Sequence, residues 1–334
     1  LTKLSMNTPY RPTTTDKELG FVVAALGNDE LTYEKKHEFN FGVDAGFFNN
    51  RLNVTFDVYQ RRNFDEIAPT VTQLYGTAYA NVGSMKSWGE ELSISSTNVK
   101  TNDFSWQTSL IYSHNRTEIT NLYNQGRVID LVQGNGFAKQ GYPARALFSI
   151  PFVGINEKGN PVCINEKGQA TVGDLNFQER NNTDYLIYEG STDPIYNGSL
   201  GNTFNYKGFH LNLFLTYAFG NVVRLDPGFK AKYNDLTSMT HDFKNRWMQP
   251  GDENVTNVPG VVSRYEYEQN RTLLSTAYNA YNYTSVRTAK GDFIRLKEIS
   301  LAYDFPHRWL ENSPVNNISS KLQATNLMLL YADK

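Results

Sequence analysis

Between residues 37 and 58, hydrophobic and polar positions alternate with a period of two. Phe39, Phe41, Val43, Ala45 and Phe47 share one parity, and Glu38, Asn40, Gly42, Asp44 and Gly46 the other. After Asn49-Asn50, Leu52, Val54, Phe56 and Val58 oppose Asn53, Thr55 and Asp57. Successive strand side chains point to opposite faces, so this segment reads as a tight hairpin with one apolar and one wetted side. The design recurs at 88–98 with 104–115, where Phe104, Trp106, Thr108, Leu110 and Tyr112 oppose Ser105, Gln107, Ser109 and Ser113. It recurs again at 200–206 with 209–219, joined by Lys207-Gly208, where glycine supplies the positive φ of a short turn. At 293–305 the phase changes: Ile294 and Leu296 share one parity, while Ile299, Leu301, Tyr303 and Phe305 share the other. A bulge near Lys297-Glu298 restores a single apolar face.

Three longer connections, 63–87, 118–194 and 221–291, separate these hairpins, whose own turns take a few residues each. Short turns at one end and long loops at the other are the signature of a bacterial outer-membrane barrel, which also supplies lipid outside and a polar lumen inside. A secreted multi-sheet glycan-binding protein would share the Tyr and Asn content without needing that asymmetry. The 21 Tyr and 20 Phe favour the barrel, whose aromatics gather in girdles at the two interfaces. A net charge of −2 implies no nucleic-acid partner. No apolar run reaches the roughly 18 residues of a membrane helix, but alternating strands escape that test. Cys163 is the single cysteine, which excludes an internal disulfide, and no Cys/His group has metal-ligand spacing. His37, His114, His210, His241 and His307 are scattered. No catalytic role, cofactor or metal is therefore expected, and the chain does not read as an enzyme. Residues 1–8 lack the basic start and apolar core of a signal peptide, so the sequence is expected to begin inside a longer protein.

Several segments resemble the SusC/RagA-like TonB-dependent outer-membrane transporters, over nearly the whole chain. They are Leu31-Thr32-Tyr33-Glu34-Lys35, Phe39 to Asp44 and Phe47 to Leu52, then Asn81-Val82-Gly83-Ser84-Met85 with Gly89-Glu90-Glu91. Gly190 to Pro194, Tyr206 to Phe209, Arg246 to Glu253 and Gly291 to Leu301 follow in the family's order. The resemblance implies an all-β, antiparallel transmembrane β-barrel of about 22 strands, a size that needs a plug. On that reading residues 1–334 are the C-terminal portion of the barrel. The plug domain, energy-coupling box, N-terminal barrel strands and final strand are absent, although Ala324-Thr325-Asn326-Leu327 is similar to a near-terminal strand. A half-barrel would leave strand edges unpaired in lipid, so the whole chain is expected to be about three times as long.

What the resemblance implies for function is active import of an oligosaccharide or oligopeptide across the outer membrane of a Gram-negative bacterium, with the sugar preferred. The implied partners are a SusD-like surface lipoprotein acting as a lid, the TonB energy-coupling complex acting through the missing N-terminal part, and outer-membrane lipid. A dimer of transporter and lipoprotein pairs is also implied. A surface glycan-binding protein that transports nothing and a passive porin stay open as alternatives.

Loop 221–291 supplies the candidate substrate-binding residues Trp247, Tyr265, Tyr267, Tyr278, Tyr281 and Tyr283, interleaved with Asn279 and Asn282. Flat apolar faces beside amides suit glycans and peptides alike, although girdle and loop packing would use the same residues. In loop 156–174 the pentapeptide Ile-Asn-Glu-Lys-Gly occurs twice, from Ile155 and from Ile164. The equivalent stretch of relatives resembles a calcium loop, but Lys167, Gln169 and Thr171 stand where oxygen ligands would be wanted. A pair of hairpin turns with Gly159 and Gly168 at their tips is the expected structure.

Overall fold

The computed structural model describes residues 3–7, 20–25, 28–72, 76–234, 238–309 and 315–333. Its main feature is one antiparallel sheet of eight strands in which spatial order follows chain order. The strands are β1 (Lys35–Phe47), β2 (Leu52–Thr72), β3 (Gly76–Lys100), β4 (Phe104–Leu122), β5 (Tyr196–Tyr206), β6 (Phe209–Phe219), β7 (Phe293–Asp304) and β8 (Ser319–Ala332). Lys3–Asn7 and Gly20–Ala25 pair separately.

Register turns the alternation of single strands into two continuous faces. One rung across all eight strands reads Ala45, Val54, Ile94, Leu110, Leu200, Leu215, Leu296 and Met328, every one apolar. On the opposite face, Asp44, Thr55 and Ser93 lie in one rung, and Gly46, Asn53, Ser95, Ser109 and Gly201 in another. A one-residue slip anywhere would exchange the faces. The expected bulge keeps β7 in phase. Phe214 faces Glu298 and the next residue, Leu215, faces Leu296, so Lys297 is the extra residue.

At the short-turn end, Lys207 and Gly208 both have positive φ (45° and 88°), the paired left-handed geometry of a two-residue hairpin loop. The first hairpin turns less tightly than the sequence suggests. Phe47 pairs with Leu52, leaving four residues, of which Phe48, Asn49 and Asn50 are all left-handed. The asparagines tolerate that conformation well and a phenylalanine poorly.

The expected loop 63–87 is corrected outright. β2 and β3 stay paired through it, from Asn63 opposite Met85 to Thr72 opposite Gly76. Register shifts around Glu66 in β2 and between Ser84 and Met85 in β3 break the period-two signal there, so continuous strands look irregular in sequence.

The other two connections are folded, and the buried core lies in them. Residues 123–195 contain the short helix Val128–Val132, the pair Ala146–Ser149 with Ile187–Ser191, and a three-stranded sheet of Phe152–Ile155, Pro161–Ile164 and Ala170–Thr171. Residues 220–292 contain the pair Val222–Arg224 with Thr288–Lys290 and the helices Arg264–Gln269 and Arg271–Tyr281. Val128, Leu131, Val132, Phe148, Ile150 and Cys163 from the first connection pack with Ala280 of the second. Arg224 stitches the two together, donating to the Thr284 and Phe148 carbonyls at 2.7 Å each and to Ser149 Oγ at 3.0 Å. Burial disfavours its charge and pushes its pKa down to about 10, so these oxygens are what keep the cation in place.

Candidate functional site

The hairpin strands carry an outward band of constant height on the apolar face. Ten residues separate Phe47 from His37, Leu52 from Arg62, Phe104 from His114, Tyr206 from Tyr196 and Phe209 from Phe219. At about 3.3 Å per residue and a tilt of about 40°, that is roughly 25 Å, the height of an outer-membrane apolar band. Aromatic rings mark both ends. At the short-turn end Trp106 stacks on Phe204 at 5.7 Å and Phe209 meets Tyr303 at 4.4 Å. At the other end His114 stacks on Tyr196 at 4.9 Å, and Tyr217, Phe219 and Tyr331 form a chain of contacts. Within the band Phe39, Phe41 and Phe47 are exposed at 69%, 55% and 49%, as suits a face turned to lipid or to a further strand. The polar groups that interrupt it satisfy one another. Trp106 Nε1 and Thr108 Oγ1 both donate to Asn202 Oδ1, and Asn98 donates to Thr108.

The wetted face is a wall of hydroxyls, amides and charges. Arg61 donates to Glu38 at 2.7 Å and Thr55 to Asp44 at 2.7 Å, and the His210 ring lies between Asn205 Oδ1 and Asp304 Oδ2. Such a surface is chemically compatible with water, a hydrated solute or a polar protein segment.

Above the wall, the structure divides the six candidate aromatics. Tyr278 and Tyr281 are 1% and 2% exposed and belong to the loop core. The Tyr278 hydroxyl donates to the Gly260 carbonyl, and the Tyr281 ring meets Phe152 and Phe229 edge-on. Burial pushes both phenols up in pKa. Trp247 is half-buried between Gly159 and Gly260, where a side chain on either glycine would collide with its ring. Its Nε1 donates to Glu253 Oε2 at 3.0 Å, and that bond, with the Gly251 amide, holds the Glu253 carboxyl below its usual range. Tyr283 is half-buried against Phe177. Tyr265 is 79% exposed. Tyr267 is half-buried, with Lys232 Nζ 5.7 Å from its ring. A cleft of about 460 Å³ is edged by Tyr267, Tyr283, Asn279, Ser275, Lys230 and Lys232. The lysines were missed from sequence, yet the strand-like alternation of buried Phe229 and Ala231 with exposed Lys230 and Lys232 carries the signal.

The repeated pentapeptides form the two expected turns, with Gly159 and Gly168 at φ 79° and 74°. Asn156 Oδ1 accepts from the Lys158 and Asn160 amides, and Asn165 Oδ1 from those of Lys167 and Gln169. Those oxygens are committed to the backbone. Among the described residues no group of three or more His, Cys, Asp or Glu side chains converges on a point that would hold a metal.

Comparison with known proteins agrees with this geometry. The family described as TonB dependent receptor-like, beta-barrel matches residues 5–226. TonB-dependent receptor P3 of Formosa agariphila is 25% identical over 337 residues, covering 92% of this chain and 31% of that protein. TonB-dependent receptor SusC of Bacteroides thetaiotaomicron is 24% identical over 316 residues, covering 89% and 28%. The chain thus spans about a third of the length of these relatives. The solved structure of the RagAB peptide transporter superposes with a TM-score of 0.74 at 23% identity, covering 99% of this chain and 35% of that one. With the faces, girdles and folded loops described above, this chain belongs to the TonB-dependent receptor-like β-barrel family, on its SusC/RagA-like side.

Proposed function

We propose that the chain forms the C-terminal part of the barrel of an outer-membrane importer in a Gram-negative bacterium, driven by the TonB complex and capped by a SusD-like lipoprotein. The observation that carries this reading is the two-faced sheet: an apolar band roughly 25 Å high outside, a polar wall inside, and folded loops over one end. A plug and an energy-coupling segment belong to the whole protein on this reading. The cargo is an oligosaccharide or an oligopeptide, met at the loops by Tyr265, Tyr267 and Tyr283, whose rings are at least partly accessible. Tyr278, Tyr281 and Trp247 support that surface from beneath. The RagAB neighbour is named for peptides, and the polar and aromatic mixture here suits either class.

The test is uptake by cells carrying the full-length protein, with solute co-purified in the native complex identified by mass spectrometry. Transport should stop when the proton-motive force is collapsed, and Tyr265→Ala with Tyr267→Ala should weaken it while the heat-resistant fold persists. Uptake that continues without energy would mean a passive porin. Binding without uptake would mean a surface receptor.

A further inference from the structure

Above the far girdle the outward face of β1 to β4 changes from apolar to cationic. Register sets His37, Arg62, Lys86 and Glu118 in one rung, and Phe39, Gln60, Trp88 and Arg116 in the rung below. These residues share the parity of Phe41, Val58, Leu92 and Tyr112, so they stand on the lipid side of the wall. Lys86 Nζ lies 2.9 Å from Glu118 and 5.6 Å from the Trp88 ring. Arg62 and Arg116 are exposed and form no ion pair among the described residues. The nearby carboxylates have partners of their own: Glu90, a rung lower, accepts from the Tyr112 hydroxyl at 3.2 Å, Asp65 pairs with Lys35 at 2.8 Å, and Asp193 pairs with Arg145 at 2.7 Å. Where β4 parts from the chain descending into β5, Trp88, Arg116 and Glu118 edge a cleft of about 450 Å³, closed by Pro143, Tyr188 and Pro194.

Height decides what this patch meets. The three cations lie ten to fourteen residues from the short turns, at the upper edge of the band or up to about 10 Å above it, which is the depth of lipid headgroups. Guanidinium forks match phosphate oxygens in pairs, an ammonium adds a point charge, and an indole face packs against the apolar side of a sugar ring. We propose that Arg62, Lys86 and Arg116, with Trp88, form a rim site for a phosphate-bearing glycolipid headgroup of the outer leaflet. The site is separate from the cargo surface and rests on the outer-membrane reading proposed above, with the face of β1 to β4 assigned outward.

The test uses full-length protein purified in its native complex. Binding of a phosphorylated outer-leaflet glycolipid, the same glycolipid after enzymatic dephosphorylation, and inorganic phosphate is compared by native mass spectrometry. The phosphorylated lipid should bind at least about tenfold more tightly than the dephosphorylated one. Each cation removed should cost roughly fivefold, so Arg62→Gln, Lys86→Gln and Arg116→Gln together should cost about a hundredfold. Lys207→Gln, at the opposite rim, should change nothing. Equal binding of the two lipids, or an unchanged affinity in the triple variant, would overturn the proposal. Inorganic phosphate binding as tightly as the lipid would overturn the lipid assignment. If the triple variant fails to insert, the comparison of the two lipids on the unaltered protein decides the question alone.

Discussion

At the scale of the residue, parity decides consequence. Phe56 lies four residues above the turn end of β2, between Val43 and Leu92, so it sits in the middle of the lipid band. Phe56→Lys should cost about 2–4 kcal/mol of folding free energy. Thr55→Lys, one residue away but beside Asp44 and Ser93, should be much milder. Unfolding measured in lipid vesicles checks this, and equal losses would show the faces are misassigned. In the loops, Tyr278→Phe removes one buried hydrogen bond and should cost about 1 kcal/mol, whereas Tyr278→Ala should cost roughly 3–5 kcal/mol and expose the helix Arg271–Tyr281 to protease. Protease resistance unchanged in the alanine variant would contradict the packing role. Glu253 supplies a pH test of the same region. Its carboxyl is held below its ordinary value of 4.5 by Trp247 and backbone amides, so the ionised form is favoured in the folded loop. That contribution is complete above the ordinary value and is lost as pH falls through the lowered one. Trp247 fluorescence should be flat from neutral pH to about 5 and shift only below the ordinary carboxylate range; a shift near neutrality would point to another group. Sequence identified these aromatic residues but not which were accessible. Tyr265 and Tyr281 look alike in composition, and only long-range packing against Phe152 and Phe229 separates them.

At the scale of the element, the strands that border two constant environments were legible and those that do not were hidden. β1 and β6 keep one apolar face throughout the band, and β5 does so apart from Asn202, because lipid on that side demands apolar side chains. β2 and β3 carry register shifts around Glu66 and between Ser84 and Met85 that break the alternation, so a paired hairpin looked like a loop. The connections 123–195 and 220–292 were recognisable as loops but not as folded units, since their cores combine residues more than a hundred positions apart, such as Cys163 and Ala280. The β7 bulge was legible because it restores a pattern that would otherwise fail. Lys297 therefore gives a sharp test. Deleting it makes Leu296 and Glu298 adjacent, opposite the adjacent Leu215 and Phe214, so Ile299, Leu301 and Tyr303 should keep facing lipid and the barrel should still insert. Lys297→Ala keeps the extra residue and loses only the contact with Asn326, so insertion should survive. If the deletion gives no heat-resistant protein on semi-native gels, Lys297 is not the surplus residue and the register of β7 is misassigned.

At the scale of the whole molecule, two folded connections stand at one end of the sheet, and one of them exposes apolar side chains. Met248, Val255 and Val261 are 67%, 84% and 50% exposed on one connection, away from the lipid band. Isolated apolar residues on a surface need no explanation, but three within fourteen positions of one loop offer a partner apolar side chains to cover. Under the proposed function the occupant is the lipoprotein lid, which must close over these loops and lift again. A patch of modest size suits that, because an interface that opens cannot be as extensive as a permanent one. Pull-down of the full-length protein in gentle detergent should recover a surface lipoprotein, and Met248→Asp with Val255→Asp should reduce its recovery without altering barrel assembly. Both positions are well exposed, so the substitutions test the contact rather than the fold. Undiminished recovery in that variant would move the lid contact to another loop. A complex containing only this protein across several detergents would remove the lid from the function altogether.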